Sequence, residues 1–137
     1  MAVLILDAEA VSALARPRQD PERHQRVRAA MRSAHRRNAP VRIPSAVLVE
    51  LYRGQGTDEP IDALLGRGFA QVVTTGARIA RIAGHLLADA GAGSELAIDA
   101  LAVATAIRLG GGMVATHDPD DLRRLAGRHT NVAILEI

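Results

Sequence analysis

Four acidic side chains lie within or directly after segments that are otherwise aliphatic. An unpaired charge in such surroundings is costly, so each acid needs an explanation. Carboxylates brought together also repel one another and resist joint ionisation, and a shared divalent cation relieves both problems. Ligands that are all oxygen, with room left for water, suit Mg²⁺ or Mn²⁺. The four acids are Asp7 after Val3 to Leu6, Glu50 after Ala46 to Val49, Asp99 between Leu96 and Leu101, and Asp118 after Val114 to His117.

Two of these acids also have an ordinary structural explanation. Asp7 precedes a predicted helix that begins at Ala8, where an aspartate commonly caps the first turn. Asp118 is followed by Pro119, a residue type that favours the first helical position, so Asp118 also fits a cap. The end of a strand in a parallel sheet is equally a frequent functional position. The pattern leaves both roles open for this pair.

The other two acids are harder to explain by local structure. Glu50 is flanked by aliphatic residues, and its structural alternative is an ion pair with Arg53 three residues on. Asp99 lies in a predicted helix that is apolar almost all round, at a place that neither end of the helix explains. Because aspartate is a poor helix former, Asp99 is the strongest single indication of a functional carboxylate.

Residues beside these acids are further candidates. Thr116 would place a hydroxyl at the same site. His117 would contact either the substrate or a residue that ligates the metal. Asp121, one turn after Asp118, is a possible additional metal ligand. Glu9 is expected instead to face solvent in the first turn of its helix, where the helix dipole favours an acid. The five histidines show no spacing typical of a metal site.

The composition excludes several kinds of chemistry. There is no cysteine, and all 17 basic side chains are arginine. Without cysteine there can be no disulfide, thiolate zinc site or cysteine nucleophile. Without lysine there is no Walker A phosphate loop and no Schiff base, and a receiver-like phosphoacceptor at Asp7 is disfavoured. Any metal must therefore be held by oxygen or imidazole.

The charge is unevenly distributed along the chain. Nine arginines between Arg16 and Arg42 give that stretch a charge of +7, whereas the remainder carries −5. Such an asymmetry attracts a polyanion, although the same arginines are equally typical of the solvated face of a helix. Tyr52 and Phe69 are the only aromatic residues, which disfavours base stacking on aromatic platforms. Any nucleic acid would therefore be bound through phosphates and metal ions.

Strand and helix patterns alternate, which predicts an α/β fold with a parallel sheet covered on both faces. In such sheets ligands bind at the carboxyl ends of the strands, where the strand order switches, and Asp7 and Asp118 both lie at such ends. The length fits a single domain, residues 1–137. The predicted strands are 3–6, 41–43, 70–74, 113–115 and 131–135, and the predicted helices are 8–15, 21–37, 45–53 with Ser45 as its cap, 58–67, 75–90, 95–109 and 118–126.

Together these motifs resemble the PIN-domain nucleases, and above all the toxin half of bacterial VapBC-type toxin-antitoxin pairs. The resemblance implies a three-layer α/β/α domain with a five-stranded parallel sheet. The departures from the family pattern are His117, Asp120 and Asp121. The family's acidic quartet matches Asp7, Glu50, Asp99 and Asp118, and its small hydroxyl or amide position matches Thr116. The motifs are Leu6-Asp7-Ala8, Ser45-Ala46-Val47-Leu48-Val49-Glu50, Ile98-Asp99-Ala100-Leu101-Ala102-Val103-Ala104-Thr105-Ala106 and Thr116-His117-Asp118-Pro119-Asp120-Asp121-Leu122.

The same resemblance implies a Mg²⁺- or Mn²⁺-dependent endoribonuclease that acts as the toxin of a type II pair. It implies an RNA substrate, a cognate antitoxin and a homodimer, with apolar residues of the second and third helices forming the protein contacts. The alternatives are an RNA- or protein-binding domain without catalysis, and a metal nuclease directed at DNA. No apolar run approaches the roughly 20 residues of a membrane helix, and Met1-Ala2-Val3 lacks the basic start of a secretory signal, so we expect a cytoplasmic protein.

Overall fold

The computed structural model of the protein describes residues 2–137, so Met1 lies outside the described residues and the single-domain boundary 1–137 stays a prediction. Five strands alternate with six α-helices and two short 3₁₀ helices. The strands are β1 (Val3–Leu6), β2 (Val41–Pro44), β3 (Gln71–Val73), β4 (Gly112–Thr116) and β5 (Val132–Glu136). The α-helices are α1 (Ala8–Ala15), α2 (Pro21–Arg36), α3 (Asp58–Gly66), α4 (Ala77–Ala90), α5 (Ala97–Arg108) and α6 (Pro119–Ala126), and the 3₁₀ helices are Ser45–Glu50 and Ser94–Leu96.

All five strands are parallel, in the order β3-β2-β1-β4-β5. One group of helices packs around α1, which contacts α2 and α3, and a second group packs around α5, which contacts α4 and α6. The predicted three-layer α/β fold with a five-stranded parallel sheet is therefore confirmed. The order of the strands reverses between β1 and β4, and their register pairs Leu6 with Ala115. The residues that follow these two strands consequently meet at one edge of the sheet.

The core centres on β1, whose four residues are all buried, as expected for a strand covered on both faces. Ile5 has no exposed surface, and burying a side chain of that size stabilises the fold by roughly 1.5–3 kcal/mol. At Gly112, a side chain would collide with the backbone of Val3, so the close approach of β4 to β1 requires glycine there. The strand that carries Asp7 is thus held rigidly in the centre of the sheet.

The helix predicted over 45–53 is wrong in type and length, since only a 3₁₀ helix forms over Ser45–Glu50. Ser45 is not its cap. The Ser45 hydroxyl donates to Thr75 Oγ1 at 3.3 Å and accepts from the Thr75 amide at 2.9 Å. Because this long-range pair engages the hydroxyl, Ser45 does not bond to the amides of its own helix.

The helix predicted over 95–109 begins later than expected. Ser94–Leu96 forms a separate 3₁₀ turn, in which Glu95 Oε1 accepts the Gly93 amide at 3.1 Å, and α5 starts at Ala97. Asp99 therefore lies in the first turn of α5, where the helix dipole favours an acid. The inference that neither end of the helix explains Asp99 was wrong. Within residues 2–137, no helix has the length and apolar character needed to cross a membrane.

Candidate active site

A cleft of about 250 Å³ opens at the carboxyl edge of the sheet, beside the switch in strand order. Its lining brings together side chains that are far apart in sequence and belong to four different segments. Parallel strands align their carboxyl ends, so this convergence follows from the topology. The charged and polar side chains that line it are Asp7, Glu9, Glu50, Asp99, His117 and Asp118.

Asp7 caps a helix and also faces the cleft. Its Oδ1 accepts the Ala10 amide at 2.9 Å, which caps α1, and the same carboxyl group lines the cleft. The side chain is only 7% exposed, and this burial raises the pKa of Asp7 to about 6, although hydrogen bonds from the Ala10 amide and the Thr116 hydroxyl act in the opposite direction. Glu9 and Glu50 add like charge that raises the pKa further. The carboxylate is thus held in a place that penalises its charge.

Thr116 lies beneath the cleft and joins two of the acids. It has no exposed surface, its hydroxyl donates to Asp7, and its Oγ1 accepts the Asp118 amide at 3.0 Å. This hydroxyl therefore fixes Asp7 relative to the backbone of Asp118, at the ends of two neighbouring strands. Thr116 supports the carboxylates and does not itself line the cleft.

Asp118 occupies the capping position of α6 but makes no side-chain capping bond. The capping explanation therefore accounts for its place in the sequence and not for its carboxyl group, which lines the cleft. Desolvation raises the pKa of Asp118, and the nearby carboxylate of Asp121 raises it further. Asp121 itself does not line the cleft, so its influence there is electrostatic.

The pKa of Asp99 depends both on burial and on the neighbouring carboxylates of the cleft. The side chain is half-buried at the start of α5, and burial together with the carboxylates of the other three acids and Asp121 raises the pKa of Asp99 to about 6. Asp7 has the largest electrostatic influence among those neighbours. Like charges that oppose ionisation in this way are relieved by a cation.

Glu50 closes the 3₁₀ helix and is exposed, whereas the neighbouring Val47 is buried and anchors that segment to the core. The ion pair with Arg53, which was the structural alternative for Glu50, is not formed in the described part of the chain. Arg53 Nη1 instead donates to the Val49 carbonyl at 3.3 Å. The local structural explanation for Glu50 is therefore wrong, and its carboxylate is left at the cleft.

Two residues at the cleft were not identified from the sequence. Glu9 is exposed as expected, yet it lines the cleft and forms an ion pair with Arg23, Nη1 to Oε2, at 3.3 Å. Arg23 Nη2 also lies 2.9 Å from Nδ1 of His117. The same Nη2 lies 3.1 Å from Nε2 of His117, so the guanidinium is close to both ring nitrogens. Only the fold brings α2 to the loop after β4, and nothing in the local sequence indicates this contact.

The donor set fits a hydrated divalent cation. Within residues 2–137, no three acidic or histidine side chains are placed closely enough to ligate one ion directly. Five carboxylates, Glu9 included, nevertheless line one cleft, and burial together with their mutual repulsion raises the pKa values of Asp7 and Asp99. Mg²⁺ keeps several waters and needs only one or two direct carboxylates, so a water-mediated site suits these side chains.

Comparison with known proteins identifies the family and the fold. The chain is similar in structure to the VapBC2 complex from Rickettsia felis bound to a DNA fragment from its promoter, with a TM-score of 0.64 and 15% identity over 98% of both chains. It is also similar to DNA-bound VapBC from Salmonella typhimurium, with a TM-score of 0.62 and 16% identity over 99% of this chain and 98% of that chain. No curated protein sequence matches significantly. The sequence model of the PIN domain matches residues 4–128, nearly the whole chain, and with the parallel sheet already described this match shows that the protein belongs to the PIN domain family.

Proposed function

We propose that this protein is a Mg²⁺- or Mn²⁺-dependent endoribonuclease and the toxin of a VapBC-type toxin-antitoxin pair. The observation that carries the proposal is the convergence of Asp7, Glu50, Asp99 and Asp118 on one cleft at the switch in strand order. Membership of the PIN domain family and the likeness to solved VapBC complexes support it. Aliphatic segments position all four acids, as a site that must hold charge rigidly requires.

Each side chain has a distinct part in the proposed hydrolysis. Asp7, Asp99 and Asp118 would hold the cation directly or through water, and Glu50, the exposed acid, would complete this set or orient the attacking water. A bound Mg²⁺ or Mn²⁺ supplies activation of water and stabilisation of the charge that develops on the phosphoryl group and the leaving 3′ oxygen. Thr116 keeps Asp7 in position through its hydroxyl. His117 lines the cleft beside Asp118, and Arg23 holds its ring in place.

The substrate is proposed to be RNA, and the chain's arginines support a polyanionic partner. Nine arginines between Arg16 and Arg42 give that stretch a charge of +7, which favours the approach of a phosphate backbone. The chain offers few aromatic platforms for bases, which supports recognition through the backbone.

The decisive experiment is cleavage of RNA by purified protein with Mg²⁺ or Mn²⁺, with EDTA, and with Asp99→Asn. We expect cleavage that needs the metal and is lost in the variant, while the circular dichroism spectrum is unchanged. Asp89→Asn is a matched control, because Asp89 is an exposed aspartate of α4. Undiminished cleavage in EDTA would contradict the proposal.

The same assay separates the two alternative functions. An oligodeoxynucleotide of the same sequence tests a nuclease directed at DNA, and preferential cleavage of the DNA would replace the RNA assignment. A domain that only binds would show no cleavage with either strand. In that case Asp99→Asn would alter stability or affinity alone.

The proposed antitoxin has a suitable surface on the first group of helices. A groove of about 650 Å³, which we call the arginine-rimmed groove, is floored by Leu14, Met31 and Phe69. Its rim carries Arg28, Arg32, Arg36 and Arg67, with no acidic residue in its lining. An amphipathic segment with apolar and acidic side chains complements such a surface. A basic side chain of the same partner would suit the acidic cleft.

The exposed apolar residues only partly match the surfaces expected for protein contacts. Val49, in the segment predicted as the third helix, is 62% exposed and is available for the proposed homodimer. On α2, however, Val27 is fully buried and Met31 lines the groove. Growth arrest on expression, relieved by a small gene encoded next to this one, would test the toxin role as a whole.

A further inference from the structure

A second pocket, of about 500 Å³, adjoins the acidic cleft, and we call it the side pocket. The two share Ala8, Glu9 and Glu50, so they are neighbouring parts of one depression in the surface. The volume lies within the roughly 300–1,000 Å³ that is usual for small-molecule sites. The side pocket differs from the cleft because Arg16 and Arg53 contribute to its lining.

Arg16 is a preformed cation in this pocket. Its Nη2 donates to the Thr57 carbonyl at 3.0 Å, and its Nη1 lies 3.4 Å from Ser12 Oγ, so neutral groups hold the guanidinium in place. Within residues 2–137 it forms no ion pair with a carboxylate. A guanidinium has five N–H donors, so most of them stay free for a ligand.

Arg53 is positioned by a tight loop. Asp58 Oδ1 accepts both the Arg53 amide at 3.1 Å and the Gly54 amide at 2.9 Å, which fixes the backbone before α3. The guanidinium donates to the Val49 carbonyl, and in the part of the chain that the structure describes it has no carboxylate partner. Two arginines without counter-ions thus lie next to a cleft crowded with carboxylates.

We infer that the side pocket binds the nucleotide next to the scissile bond of the RNA, with Arg16 and Arg53 holding the phosphate of that nucleotide. This inference rests on the function proposed above. A phosphate near Glu9 and Glu50 is repelled unless a positive group offsets their charge, and guanidinium groups do so while matching phosphate geometry. Gln19 supplies an amide group for the ribose, and no aromatic side chain lines the pocket to stack a base. The nucleotide is therefore recognised by its backbone and not by its base.

The test uses an RNA oligonucleotide whose cleavage position has been mapped with the wild-type protein. Two synthetic versions each carry a single uncharged methylphosphonate linkage. In one it replaces the phosphate before the scissile bond, and in the other it replaces the phosphate after it. We expect one of these two versions to raise KM by about 10-fold with wild-type protein, as the loss of a charge-assisted contact does. Arg53→Gln should raise KM for the unmodified RNA by a similar factor, with kcat little changed.

The effects of the methylphosphonate linkage and of Arg53→Gln on KM should not add. One change removes the charge of the RNA and the other removes the charge of the protein from the same contact. In Arg53→Gln the methylphosphonate should therefore cost nothing further, whereas in the control Arg128→Gln it should cost as much as in wild type. Arg128 is exposed and lies between α6 and β5, at the opposite edge of the sheet from the cleft. Full additivity in Arg53→Gln, or an unchanged KM, would overturn the assignment.

Arg16→Gln provides the second variant, and its melting temperature is measured because Arg16 also bonds to Thr57. Affinity for the uncleaved RNA, measured by fluorescence anisotropy in EDTA, separates the two proposals. Cleavage with unchanged affinity and KM in both variants would remove the subsite and leave the nuclease. Binding that depends on both arginines, without any cleavage, would leave the subsite and remove the nuclease. If the two variants instead weakened only an acidic protein partner, the pocket would be a protein site and the inference would fail.

Discussion

The acidic cleft and the arginine-rimmed groove carry opposite charge on one small domain. Carboxylates from four segments line the cleft, whereas the groove has four arginines around an apolar floor and no acid in its lining. The net charge of +2 therefore describes neither surface. An anionic substrate can approach the cleft only with a cation to offset the carboxylates, while an acidic protein segment binds the groove without one. The two surfaces therefore suit ligands of different charge, and the proposed substrate and antitoxin can be tested at each separately.

The largest effect is expected from a substitution that alters the acidic cleft and leaves the arginine-rimmed groove unchanged. Asp7→Asn should reduce metal-dependent cleavage by at least about 100-fold, since weaker effects of 10–100-fold are typical of residues that only support metal ligands. Asparagine caps a helix as well as aspartate, so α1 should be retained. Cleavage by gel assay and antitoxin affinity by calorimetry measure the two regions separately. A variant that lost both would show that the regions are not independent.

The second prediction concerns the metal-free protein and its pH dependence. Because the pKa of Asp7 is raised to about 6 in the folded state, the folded protein binds the proton more tightly than the unfolded chain. Stability contributed by Asp7 is therefore present below pH 4 and lost as pH rises to 6. Asp7→Asn should match wild type near pH 4 and exceed it by roughly 3 kcal/mol at pH 7 in EDTA.

Urea unfolding at several pH values measures this difference. Adding Mg²⁺ at pH 7 should stabilise wild type more than the variant, because the ion binds the folded site preferentially. A difference that is constant between pH 4 and 7 would show that burial of Asp7 does not disfavour its charge.

A smaller effect is expected from the residue beneath the cleft. Thr116→Val keeps the shape of the buried side chain but removes the hydroxyl that donates to Asp7 and accepts the Asp118 amide. Cleavage should fall by about 10-fold, as for other residues that orient metal ligands. The unpaired Asp118 amide should cost about 1–3 kcal/mol of stability. Thr116→Ser is the control that keeps the hydroxyl, and it should retain most of the activity.

The smallest effect concerns the groove. Arg32→Gln should slow association with the antitoxin by a few-fold and weaken its dependence on salt, since a charge at the rim of an interface acts mainly on the association rate. Cleavage by the free protein should be unchanged. Stopped-flow association at several salt concentrations measures this, and Arg81→Gln, an exposed arginine of α4, is the matched control. Equal effects of both variants would show that the groove is not the antitoxin surface.

The sequence alone was sufficient for the fold and for the candidate acids. Aliphatic runs that alternate with helical patterns predicted the parallel sheet, because burial on both faces imposes the same apolar character on every such strand. Once the strands are predicted, the residues at their carboxyl ends are known, and Asp7 and Asp118 were identified in this way. The sequence left a capping role open for both, and a side-chain cap is formed at Asp7 only.

Only the tertiary structure decided the surroundings of these acids. The start of α5 at Ala97 gave Asp99 an ordinary place in a first turn, and the pKa of Asp99 is raised by burial and by carboxylates such as Asp7 that are distant in sequence. Arg23 of α2 contacts His117 in the loop after β4, and Arg16 and Arg53 line the same pocket. No local sequence pattern indicates either arrangement. Apolar periodicity records which faces are buried, whereas contacts between distant polar side chains depend on how those elements pack against one another.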